Sequence, residues 1–401
     1  MSVGREAADR VKAQRQRLDR ERLIAEAIER AGTEDFGEPT WQEGLDRLID
    51  SWCEEARLSD IGVEIAAQDV VTGLTNRLGI TAWATEHPEV VAAPVRAPIV
   101  IMGQPRTGTT ILFDLLAVDP DLRAPLTWEV DRPCPPPRPA DYDDDPRIAE
   151  IQANLDLTDL LVPGFLAFHP MGARLAQECV RMTASDFRSM LYPTQFHVPS
   201  YDSWLLNETD LAPAYRWHRR YLQHLQTYVD GQWLLKSPAH LWHLDALATC
   251  YPDAVLVQTH RDPLKVIASV SALANHLRRM TTEQTSVPEA AEQYAVDIVQ
   301  GLDRAMDARE RGVFPDKQVI DVRFADFMAD PFATIRALYA RLDRELTPVA
   351  EERMRAFLAG NPGDGGASRY RWSDTGLDES ELRPLVAAYQ ERYDVPSEPL
   401  T

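Results

Sequence analysis

The chain reads as an α/β protein built on a central parallel sheet, with flanking helices and a helical segment ahead of the sheet. Three observations predict this. Short apolar runs recur, each followed by a helical pattern: Ile99-Val100-Ile101-Met102, Gln232-Trp233-Leu234-Leu235-Lys236, Ala254-Val255-Leu256-Val257-Gln258-Thr259, and Lys317 to Val322. Continuous apolar runs, as opposed to alternating ones, mark strands buried on both faces. Polar clusters stand directly after three of these runs, where open α/β sheets hold their ligands.

Composition bounds the function. With 401 residues and 44% hydrophobic content, the chain can bury a large core. A net charge of −21 argues against nucleic acid or an anionic membrane surface as partner, so any anion site must be a local basic pocket. No apolar run approaches the roughly 18–20 residues of a spanning helix, and the start, Met1-Ser2-Val3-Gly4-Arg5-Glu6, has no apolar signal region. Cys53, Cys134, Cys179 and Cys250 are scattered without a CxxC pair, which fits reduced thiols and a cytoplasmic location better than zinc or disulfides.

In chain order, residues 1–95 form the expected helical extension. Helices are expected over about Ala7–Ala31, with Leu18, Leu23, Ile24 and Ile28 as an apolar stripe, over Trp41–Leu58, and over Val63–Thr85. Residues 96–401 form the expected α/β domain. After the first strand and its helix, Val118 to Glu129 reads as a turn and a second extended piece. Pro133 to Asp145 reads as a loop. An insertion at about 145–230 is mostly helical and rich in aromatics (Phe165, Phe168, Phe187, Tyr192, Phe196, Tyr201, Trp204), which suit a core and also an apolar pocket. A Gly-rich stretch, Asn361 to Ser368, precedes a last amphipathic helix at about Asp378–Tyr393.

The stretch from Gly103 to Thr110, Gly-Gln-Pro-Arg-Thr-Gly-Thr-Thr, is where the chemistry concentrates. Strand, Gly-bounded loop and helix aim backbone N–H groups and a helix N-terminus at an anion. The Gly103-to-Gly108 spacing is that of the GxxxxGK[ST] loop of nucleoside-triphosphate sites, but Thr109 stands where that loop has its lysine. Without that lysine a γ-phosphate is poorly served, and Arg106 is the nearest cation. Two more strand ends offer Lys236-Ser237, and Arg261 with Ser269 about two helical turns on. The chain has only four lysines, Lys12, Lys236, Lys265 and Lys317, among 42 basic residues, so a lysine at a strand end stands out. Two separate anion sites describe a nucleotide with a phosphate at each end of one ribose.

Gly103-Gln104-Pro105-Arg106-Thr107-Gly108-Thr109-Thr110 resembles the 5′-phosphosulfate loop of sulfotransferases that use 3′-phosphoadenosine 5′-phosphosulfate (PAPS). His260-Arg261-Asp262-Pro263-Leu264-Lys265-Val266-Ile267-Ala268-Ser269 resembles their 3′-phosphate motif, and Val319 to Phe327 resembles a further segment around Phe324. The resemblance covers about residues 97–395. It implies a P-loop-like α/β fold, PAPS as sulfuryl donor with 3′,5′-ADP as product, no metal, and transfer to a hydroxyl or amine. It implies that Arg106, Thr107, Gly108, Thr109 and Thr110 hold the 5′ end, Arg261 and Ser269 the 3′-phosphate, and Phe324 and Arg369 the rest of the nucleotide. Arg106 and Lys236 would stabilise charge at the transferring group, as in phosphoryl transfer.

Three residues compete for the general base: Glu129 shortly after the first loop's helix, Glu178 in the aromatic region, and His240 close behind Lys236. Where some relatives carry an aromatic after the first loop, this chain has Ile111, and Phe324 lacks a hydroxyl. The expected acceptor is a hydroxyl on an apolar small molecule or lipid. A homodimer is among the expectations. The alternative reading is a P-loop kinase for a small molecule or nucleotide.

Overall fold

The computed structural model describes residues 11–140, 142–161, 171–361 and 370–400. Its centre is a five-stranded, all-parallel sheet: β1 (Ile99–Gly103), β2 (Leu122–Arg123), β3 (Gln232–Lys236), β4 (Val255–His260) and β5 (Val319–Arg323), in the order β2-β3-β1-β4-β5. All five residues of β1 are buried, as expected of a strand covered by helices on both faces. β1 pairs with β3 on one side and β4 on the other. The carboxyl ends of these three strands therefore lie side by side, and Arg106, Lys236 and Arg261 come together there.

Glycine is required twice in the loop after β1. Gly103 sits at φ +148° opposite Thr259 of β4, where a Cβ would fall 2.3 Å from the Thr259 hydroxyl. Gly108, at φ +84°, starts the next helix, and a Cβ there would press on the Phe324 ring at 2.9 Å.

The first described helix does not run unbroken to Ala31. A turn interrupts it at Leu18, and α1 (Arg20–Ala31) restarts behind Asp19, whose carboxylate caps Arg22 N–H. α2 (Trp41–Glu54) stops before Leu58, since Arg57 adopts φ +51°. α3 (Asp60–Glu86) extends beyond the expected span at both ends, and Ser59 caps its start. These helices bury Leu45, Leu48, Trp52, Val70 and Leu74 in the same hydrophobic core that contains Val100, Leu235 and Leu256 of the sheet. Each such side chain contributes about 1.5–3 kcal/mol by leaving water.

The aromatics of the insertion explain how that core closes. Phe187, Tyr192, Phe196, Tyr201 and Trp204 are all buried, and Trp52 of α2 packs on Tyr192 and Phe196 at ring separations of 5.8 and 5.0 Å. They are core filling for the N-terminal helices, which is the first of the two readings the sequence allows. Phe165 and Phe168 lie outside the described residues, as does Arg369.

Candidate active site

The loop after β1 leads into α4 (Thr109–Ala117), whose N-terminus faces the strand ends. Arg106 forms the loop's tip at φ +66°, a left-handed conformation that costs a non-glycine residue about 1–3 kcal/mol and is common at functional loops. Thr107 is buried, its hydroxyl donating to the Gln104 carbonyl at 2.6 Å and lying 2.6 Å from the Thr259 hydroxyl. It braces the loop against β4.

Arg106 joins the two halves of the site. Its Nε donates to the Ser269 hydroxyl at 3.1 Å, and its carbonyl accepts from Arg261 Nη1 at 3.0 Å. Arg261 stands just ahead of α5 (Pro263–Arg278) and Ser269 lies on its second turn; the Asp262 carboxylate caps the helix at Leu264 N–H. The expected pair of separate anion sites is therefore one linked constellation. Arg261 also stacks on Phe324, its guanidinium carbon 4.2 Å from the ring centroid. Burial alone would lower the Arg261 guanidinium, but its bonds to Glu398 outweigh this and hold it above its ordinary value.

Lys236, the last residue of β3, is 1% exposed, and its ammonium donates to the Glu178 carboxylate and, at 3.1 Å, to the Thr110 hydroxyl. Glu178 precedes a one-turn helix (Cys179–Thr183), and its N–H is held by the Gln177 side chain at 2.8 Å. A narrow cleft opens over this group, lined by Thr110, Phe113, Asp114, Met171, Glu178 and Lys236. Its wall is apolar at Phe113 and Met171 and charged at the floor.

The structure does not bring the other two base candidates into this cleft. Glu129 lies on a short helix (Thr127–Asp131) and is fully buried. One of its oxygens accepts from Arg123 Nη2 at 3.0 Å and the other from Leu126 N–H at 3.0 Å. Burial raises its pKa against the pull of Arg123. One oxygen thus fastens the helix to β2 and the other caps the helix's own start. His240 is 3% exposed, with Nδ1 2.7 Å from the Tyr215 hydroxyl, and burial pushes it down to about 3, so it is neutral.

A model of the sulfotransferase family matches residues 98–348. The chain belongs to this family. Among solved structures, sulfotransferase STF9 from Mycobacterium avium matches with a TM-score of 0.86 and 30% identity, covering 94% of this chain and 97% of that one. Sulfotransferase STF1 from Mycobacterium tuberculosis matches at 0.81 and 30%, covering 92% and 98%. A curated relative, omega-hydroxy-beta-dihydromenaquinone-9 sulfotransferase Stf3 of Mycobacterium bovis, is 26% identical over 281 residues, 67% of this chain and 68% of its own. Residues 96–401 are about three-quarters of the chain, so the likeness to STF9 extends into the N-terminal helices. Membership in this family leaves the kinase alternative unsupported.

As a sulfotransferase site, the donor set is coherent. A loop of backbone N–H groups, the hydroxyls of Thr110 and Ser269, the cations Arg106, Lys236 and Arg261, and the Phe324 ring fit an anionic nucleotide. Among the described residues no helix is long and apolar enough to cross a membrane. Sequence reasoning missed Asp114, Gln177 and Glu398. Asp114 was within reach, four residues beyond Thr110 on one helix face; nothing local marks Glu398.

Proposed function

We propose that this sulfotransferase moves a sulfuryl group from PAPS to the hydroxyl of an apolar small molecule or lipid, with Glu178 as general base. The observation that carries the assignment is the Lys236–Glu178–Thr110 cluster at the carboxyl end of β3, at the floor of the cleft. PAPS, when bound, supplies an activated sulfuryl group on a bridging oxygen.

The protein's own groups then have distinct tasks. The loop from Gly103 to Thr110 and the N-terminus of α4 bind and orient the 5′ end. Lys236 and Arg106 stabilise negative charge that develops on the departing oxygen. Arg261 and Ser269 bind the 3′-phosphate, and Phe324 offers a ring face to the base. Glu178 accepts the acceptor's hydroxyl proton as that oxygen bonds to sulfur and the bond to the bridging oxygen breaks. The ion pair with Lys236 holds the Glu178 carboxylate in place beside the Thr110 hydroxyl. Phe113 and Met171 favour an apolar acceptor, and the named substrate of the relative Stf3, a hydroxylated menaquinone, supports the same class.

The test is a transfer screen with sulfur-labelled PAPS against isoprenoid alcohols, sterols, phenols and sugars. Label is expected on the apolar alcohols. Label on sugars alone would overturn the acceptor class. Thermal stabilisation by Mg-ATP but not by 3′,5′-ADP would overturn the donor.

A further inference from the structure

The guanidinium of Arg261 already carries an anion. Its Nε and Nη2 donate to the two carboxylate oxygens of Glu398 at 2.8 and 2.9 Å. This paired edge is the face by which an arginine binds a phosphate in two-pronged fashion. The remaining nitrogen, Nη1, is engaged by the Arg106 carbonyl at 3.0 Å.

Glu398 reaches this position by a defined path. The last helix, Glu379–Tyr393, ends at Asp394 in a left-handed conformation, which turns the chain back across the start of α5. Val395 is buried and Leu400 packs against the core. Between them, Glu398 N–H donates to the Asp262 carboxylate at 2.7 Å, and Arg383 holds the other Asp262 oxygen at 2.7 Å. Pro396 and Pro399 have no N–H to give. Gln390 also holds the segment, donating to the Val395 carbonyl and the Ser397 hydroxyl and accepting from Val395 N–H, but the bidentate pair with Arg261 is its one ion pair among the described residues.

We propose that residues 395–400 form a strap whose Glu398 carboxylate stands in for the 3′-phosphate and must leave Arg261 before that phosphate engages it. The proposal rests on the assignment of Arg261 to the 3′-phosphate made above. A carboxylate and a phosphate dianion on one partly buried guanidinium edge repel each other. In the free enzyme Glu398 spares Arg261 an unpaired charge at 15% exposure. Nucleotides that lack a 3′-phosphate have no need to open the strap.

Calorimetric binding of 3′,5′-ADP and of 5′-AMP to wild type, Glu398→Gln and Arg261→Ala tests this, together with amide hydrogen exchange of the strap. Glu398→Gln is expected to bind 3′,5′-ADP about tenfold more tightly, with 5′-AMP unchanged. In wild type, 3′,5′-ADP is expected to speed exchange at Ser397 and Glu398, and 5′-AMP is not. Equal or weaker 3′,5′-ADP binding by Glu398→Gln, alongside weakened binding by Arg261→Ala, would overturn the strap and leave the nucleotide assignment standing. Unchanged 3′,5′-ADP affinity in Arg261→Ala would overturn the assignment of Arg261 and the strap with it.

Discussion

Lys236 and Glu178 form an ion pair at the floor of a cleft, with the lysine 1% exposed and the glutamate 17%. Few residues less suited to burial exist than these two, and the pair is held together by the end of β3 and the turn before Cys179. A buried ion pair is weak evidence for stability, since desolvation offsets much of the attraction. Its placement beside the Thr110 hydroxyl and the Gly-bounded loop is what the proposed mechanism draws on.

If Glu178 takes the acceptor's proton, Glu178→Gln keeps the shape and removes the base. Turnover is expected to fall by about a hundredfold or more, while 3′,5′-ADP affinity measured by calorimetry stays within about twofold. Undiminished turnover would remove Glu178 from the mechanism.

Lys236→Met keeps the stem that passes Phe113 and removes the charge. A fall in kcat by about 10²–10³ is expected, with a smaller change in acceptor KM. A variant that raised only KM would mark Lys236 as a binding residue without a role in the chemical step.

Glu129 predicts the opposite pattern. Glu129→Ala leaves Arg123 buried without its carboxylate, and unfolding stability in urea is expected to drop by about 3–5 kcal/mol. Turnover per folded molecule is expected to persist. Loss of turnover at full stability would return Glu129 to the site.

The strands and the phosphate loop were legible because their signals are local: buried apolar runs, glycines at a close approach, an Asp-Pro start to α5. The stop at Asp19 was missed, because a capping residue inside a charged helical pattern also fits an unbroken helix. The ranking of base candidates was not legible either. It depends on Arg123 closing on Glu129 and on the turn that delivers Glu178 to Lys236, 58 residues away. Distance hid Glu398 most completely, since 137 residues separate it from Arg261. The insertion's aromatics read as core from the sequence, but their partner Trp52 in the N-terminal helices was hidden by distance.

Two buried carboxyls predict how stability depends on pH. Burial raises the carboxyls of Asp202 and Asp297 to about 6 and about 9, and the charge of Asp202 adds to the rise of Asp297. A carboxyl raised on folding stabilises fully below its unfolded pKa of about 3.9 and loses that contribution as pH climbs through its folded value. Wild type is therefore expected to lose stability from pH 5 to 9, and Asp297→Asn to lose less. The Tm of the variant relative to wild type should rise toward alkaline pH; a constant difference would show that Asp297 does not titrate in that range.

The most direct test of the central claim is a single-turnover assay with sulfur-labelled PAPS and an isoprenoid alcohol, run on wild type and Glu178→Gln. The account predicts label on the alcohol's oxygen with wild type, and a rate at least about a hundredfold lower with the variant at equal 3′,5′-ADP affinity. Transfer at the same rate by both proteins, or binding of the nucleotide with no transfer to any hydroxyl, would contradict it.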